Sequence, residues 1–96
     1  PVAAATALAL AARGDIDLDK PVAGTRDGWR IPRADDVTGF PTLRQLLSHT
    51  GGVGGHGYQG YAPDGAIPTP QQVLRGEPPA NSGTVTIAAT PGSGYR

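Results

Sequence analysis

Residues 2–12 read Val-Ala-Ala-Ala-Thr-Ala-Leu-Ala-Leu-Ala-Ala. Alanine and leucine have the strongest helix propensities, so this segment predicts a helix. It is apolar nearly all round, and such a helix needs cover on every side. A chain of 96 residues offers few neighbours to supply it. The expectation is a helix made for the interior of a larger fold, with partner segments outside these residues. Pro1 fits only at a helix start, where amide donors have no intrahelical partner. Gly14 suits the left-handed residue that follows a helix, and Arg13 suits the negative end of its dipole. The same run resembles the apolar part of a signal peptide, but no basic segment precedes it and a helix stop follows.

Glycine (15) and proline (10) are abundant, which favours long irregular connections. The varied apolar residues argue against disorder throughout. Formal net charge is zero, so nothing points to nucleic acid or to a strongly charged partner. The absence of cysteine removes disulfides, thiolate metal sites and a cysteine nucleophile. No apolar run approaches a membrane span. A core this small without staples is marginal, so residues 1–96 alone are expected to unfold with little cooperativity.

Asp15-Ile16-Asp17-Leu18-Asp19 alternates, with Ile16 and Leu18 toward a core and carboxylates toward water. Residues 21–41, with Pro21, Pro32 and Pro41, read as an irregular loop holding at most a brief helical turn. Trp29 is expected to pin that loop to the body. A second helix starts at a capping box, Thr42 with Gln45, and is expected to end at Gly51-Gly52. On that reading Ser48 and His49 lie inside it, and Leu43, Leu46 and Leu47 share one face. A glycine-rich loop follows over residues 51–65. A third helix is capped by Thr69 with Gln72, has Pro70 first, and ends at Gly76. Thr84-Val85-Thr86-Ile87 is β-branched and alternating, which predicts a short strand. Pro91-Gly92 turns the chain toward Tyr95. The fold class expected is mainly α with long irregular loops.

Several motifs fail on inspection. Asp15, Asp17 and Asp19 are spaced like calcium ligands, but Lys20 and Arg26 stand where the loop requires glycine and glutamate. Gly52-Val53-Gly54-Gly55-His56-Gly57 spells a dinucleotide fingerprint but follows a helix instead of a strand. His49 and His56, the two histidines, lack a third ligand at zinc spacing. None of Ser48, Ser82 and Ser93 stands in a nucleophile motif, and neither Tyr58, Tyr61 nor Tyr95 is followed two residues on by Asn. No cofactor or metal site is expected. His56 and Tyr58, on the loop from Val53 to Tyr61, are the candidate substrate contacts.

Three stretches together resemble the serine β-lactamase-related family, which includes class C β-lactamases, penicillin-binding DD-peptidases and related esterases. Gly14 to Val22 looks like a Gly-x-Leu-x-Leu-Asp-x-Pro-Val segment. Thr42 to Gly52 is similar to Thr-Leu/Ile-Arg-x-Leu-Leu-Ser/Thr-His-Thr-Ser-Gly, with Gly51 where serine is usual. Pro91 to Arg96 resembles the front of a stretch that leads into Tyr-Ser-Asn. The order and spacing agree; residues 23–41 and 53–83 match loosely.

The resemblance implies an internal piece of a hydrolase, a partial helical subdomain over residues 1–96 of an α/β two-part fold, with no second domain. It implies a Ser-x-x-Lys before Pro1 and a Tyr-x-Asn after Arg96, so that no catalytic residue lies within the chain. It also implies an acyl substrate, either a β-lactam, a D-alanyl peptide or a small ester, and a periplasmic or secreted setting. Two rivals stand beside it: a binding or sensor protein on the same scaffold, and an unrelated small helical binding domain.

Overall fold

The structure is a computed structural model that describes residues 1–55 and 59–95. Three helices appear in it: α1 (Val2–Ala12), α2 (Leu43–Leu47) and α3 (Pro70–Arg75). They are short, and irregular chain dominates, so the mainly-α expectation holds for the elements and overstates their share. The connecting segments meet at isolated bridges: Pro21 with Thr42, Gly24 with Arg30, Arg33 with Ile87, and Val53 with Ile87.

All three helices end the same way. The amide two residues past the last turn reaches back to a carbonyl five residues earlier, and the amide before it closes a shorter ring. In α1 these bonds are Asp15 N to Leu10 O (2.9 Å) and Gly14 N to Ala11 O (3.0 Å). In α2 they are Thr50 N to Gln45 O (2.8 Å) and His49 N to Leu46 O (3.3 Å). In α3 they are Glu77 N to Gln72 O (3.0 Å) and Gly76 N to Val73 O (3.3 Å). This paired closure needs a left-handed residue at the inner position. Gly14 (φ 79°), His49 (φ 60°) and Gly76 (φ 68°) fill it.

The α2 boundary therefore differs from expectation. Ser48 caps the helix instead of lying within it, and His49 rather than Gly51 takes the left-handed turn. Gly52 is needed for another reason, close backbone approach, and Gly51 is crowded by side chains. The expected strand at 84–87 also fails to form; Ile87 alone makes bridges, on both sides. Its neighbours turn to α3 instead, where Val85 N donates to Leu74 O (2.9 Å) and Thr84 Oγ1 to Arg75 O (2.7 Å). Those tertiary partners override β propensity. Residues 21–41 hold no helical turn. They form a tight reversal in which Thr25 N donates to Trp29 O at 2.9 Å, and Trp29 is half-buried.

The core is thin. Ile87, Val37 and Ala7 are its buried hydrophobic residues, with Pro41 beside them. The accessible surface is 6496 Å², whereas a compact monomer of this mass exposes about 5,100 Å². Exposed apolar side chains contribute to it: Val2 of α1 is 82% exposed and Leu8 56%. The cover that α1 calls for is not supplied by the described residues.

Candidate functional site

The second helix is one turn of chain at which two distant segments meet. Its start is closed by both arms of the capping box: Gln45 N donates to Thr42 Oγ1 (3.1 Å) and Thr42 N to Gln45 Oε1 (2.9 Å). The same box forms at α3 between Thr69 and Gln72. The first motif segment docks on this start. Val22 N donates to Pro41 O (2.7 Å) and Arg44 N to Leu18 O (3.0 Å).

Asp19 and Arg44 lock that contact. The guanidinium reaches the carboxylate through Nε (2.8 Å) and Nη2 (3.1 Å). Their hydrogen bond holds Asp19 below the usual carboxylate value and raises Arg44 further. Alternation in this stretch is as expected, with Ile16 and Leu18 half-buried and Asp15, Asp17 and Asp19 exposed. Asp17 Oδ1 is occupied by the Asp19 amide at 2.9 Å.

The third motif segment docks on the other end. Gly92 N donates to Thr50 O (2.7 Å), and Ala88 and Ala89 both donate to Gly52 O (2.8 and 3.1 Å). This approach is why a glycine stands at 52, whereas Gly51 is crowded by the side chains of Leu46 and Pro41. A Cβ at Gly52 would sit 2.0 Å from the Ala89 carbonyl oxygen, and one at Gly51 would lie 2.9 Å from Leu46 Cδ2 and 3.1 Å from Pro41 Cβ. The His49 ring meets Tyr95 edge to face, with centroids 5.7 Å apart at 66°. Sequence reading singled out all three segments but not their common anchor. The unpaired Asp row and Arg44, outside the leucine face, were the available signal.

A second ion-pair group joins the 24–30 reversal to α3. Arg75 Nη2 lies 2.5 Å from Asp27 Oδ2 and Nη1 lies 3.8 Å from Glu77. The Thr25 hydroxyl, then the Trp29 amide, hold Asp27 below its usual pKa, with Arg75 adding to the effect.

His56 and Tyr58 lie outside the described residues. The loop around them is fixed at both sides. Gly54 N donates to Thr86 O (2.9 Å) before it; after it, Asn81 N donates to Tyr61 Oη (3.0 Å) and Asn81 Nδ2 to Gly60 O (2.8 Å). Gly54 and Gly55 share a hollow of about 230 Å³ with residues 82–86. Ser82 Oγ is buried there without a hydrogen-bond partner. Ser48 Oγ is engaged by Gln45 O (3.3 Å) and Thr50 Oγ1 (2.9 Å). Among the described residues, neither hydroxyl is joined to a base that would activate it. What the arrangement can do is positional, since it fixes two distant chain segments relative to one short helix.

Among known protein families, the one described as Beta-lactamase matches residues 1–96. No curated protein and no solved structure matches the chain significantly.

Proposed function

The chain belongs to the Beta-lactamase family, and from that premise we propose that it is the helical platform of a serine hydrolase working through an acyl-enzyme. In this reading a serine of a Ser-x-x-Lys preceding Pro1 attacks the carbonyl carbon of an acyl substrate. Its proton passes to a lysine or tyrosine base, and backbone amides hold the oxyanion. The C–N or C–O bond breaks, the leaving group takes the proton, and water then releases the acyl group from serine. The tyrosine belongs to a Tyr-x-Asn following Arg96. The substrate is a β-lactam, a D-alanyl peptide or a small ester, all with an electrophilic carbonyl. Residues 1–96 contribute architecture as a partial helical subdomain, and His56 and Tyr58 contribute contacts at the cleft rim.

The observation that carries this reading is the docking of the first and third motif segments on the second, at the two ends of α2. The resemblance depends on those segments, and a chance match has no reason to bring them together. The uncovered apolar surface of α1 supports it too, because a helix carrying a nucleophile's turn inside a larger domain needs such a surface.

Nitrocefin and p-nitrophenyl butyrate turnover, with intact-mass detection of a penicillin adduct, tests it. The full-length protein is expected to form the adduct and to turn over at least one substrate, while residues 1–96 alone do neither. Saturable hydrolysis by residues 1–96 would overturn the placement of the machinery. A full-length protein that binds penicillin reversibly without an adduct would establish the sensor reading instead.

A further inference from the structure

Three helices close with the same pair of hydrogen bonds, and only one of them uses a side-chain-bearing residue at the left-handed position. Gly14 and Gly76 take it after α1 and α3; His49 takes it after α2. Among the described residues His49 is the one non-glycine with positive φ. A left-handed backbone is costly for a residue with a Cβ and free of that cost for glycine. Strain of this kind, kept where two sibling positions avoid it, points to a role for the side chain.

The neighbourhood supplies one. The imidazole lies edge to face with Tyr95 at 5.7 Å, an arrangement that aromatic rings favour. The turn ending at Tyr95 is anchored to the same short stretch by Gly92 N to Thr50 O (2.7 Å). Gly92 (φ 85°) packs close to the same helix, since a Cβ there would stand 3.0 Å from Gln45 Nε2. The backbone contact therefore fixes the start of the turn, and the ring contact fixes its end. Tyr95 is otherwise exposed, at 79%.

We propose that His49 is a positioning residue, whose ring holds Tyr95 and so sets the direction in which the chain leaves the 91–95 turn. It rests on the hydrolase reading only for its effect on turnover, because the segment leaving that turn is where that reading places the Tyr-x-Asn.

The test is amide hydrogen exchange across residues 92–95 in the full-length protein, with His49→Gly, His49→Phe and Tyr95→Ala. His49→Gly relieves the backbone and deletes the ring. It should leave the melting temperature unchanged or higher, yet raise exchange across the turn about 3- to 10-fold, the size expected for losing one edge-to-face pair. Tyr95→Ala should raise exchange at 92–94 equally, and the double variant no further. His49→Phe keeps a ring on a strained backbone, so it should lower the melting temperature while preserving protection. Unchanged exchange in His49→Gly, or additive effects in the double variant, would overturn the proposal. In an active protein, kcat of His49→Gly should fall about as much as protection, with KM within about twofold. A wild-type protein without turnover would refute the hydrolase reading, and exchange would still decide the role of His49.

Discussion

The first two helices reach the same secondary structure by opposite routes. The first runs for 11 residues of high helix propensity, with no side-chain cap at Pro1 and one buried residue, Ala7. The second has 5 residues, far below the length at which an isolated helix persists in water. It exists because its own caps close both ends and because residues 18–22 and 88–92 hydrogen-bond to its flanks. One element is locally determined and poorly covered, whereas the other is tertiary in origin and occupied on both sides.

The sharpest way to break this contrast is a single substitution at each element. Gly52→Ala would place a carbon 2.0 Å from the Ala89 carbonyl oxygen on a backbone with φ 78°. The main chain has to move, and a loss of about 3 kcal/mol or more is expected. Leu8→Ala in α1 removes a side chain that is 56% exposed within residues 1–96; in the full-length protein, where the hydrolase reading covers α1, it should cost about 2 kcal/mol. Urea denaturation of the intact protein measures both. A Leu8→Ala loss within about 0.5 kcal/mol in the intact protein would show that α1 gains no cover there.

Caps give the next smaller effect. Thr42→Ala deletes the acceptor of the Gln45 amide and should cost about 1 kcal/mol. Thr6 is the corresponding hydroxyl of α1, and it only bonds back to Val2 O at 2.9 Å. Thr6→Ala trades that bond for better propensity, so a gain of up to about 0.6 kcal/mol is expected. Thermal melts of the two variants should shift in opposite directions. A stabilising Thr42→Ala would mean that the docked segments hold α2 without its box.

What was legible in the sequence follows the same division. Alanine and leucine mark α1 to the residue, and threonine with glutamine three positions on marks both caps, because these signals are local. Tertiary features were not local. Gly51-Gly52 looks like a helix stop until Ala89, Leu46 and Pro41 are seen to press against it. His49 shows no sequence sign of a left-handed backbone, since the hydrogen bonds that impose it come from the end of α2. Thr84 to Ile87 has the composition of a strand, yet Leu74 O and Arg75 O draw its first half away, leaving Ile87 as one rung. The candidate contacts His56 and Tyr58 rested on loop composition, and they fall outside the described residues.

The smallest effect expected is electrostatic, and it again separates the two helices. Arg44 holds the Asp19 carboxyl below its ordinary value of 3.8. A folded-state pKa below the unfolded one makes the pair's contribution complete above the unfolded value. That contribution is then lost as pH falls through the lower, folded value. Both side chains are well exposed, 61% for Arg44 and 66% for Asp19, so the effect is small and screened by salt. Stability profiles of wild type and Asp19→Asn should run parallel above about pH 5 and converge toward about pH 2. At about 1 M salt the gap should shrink at every pH. Val2–Ala12 contains no ionisable side chain, so amide protection within α1 should differ little between the two proteins across that window. A gap that persists below about pH 2 would mean that Asp19 acts through packing or its bonds to backbone, not through its charge.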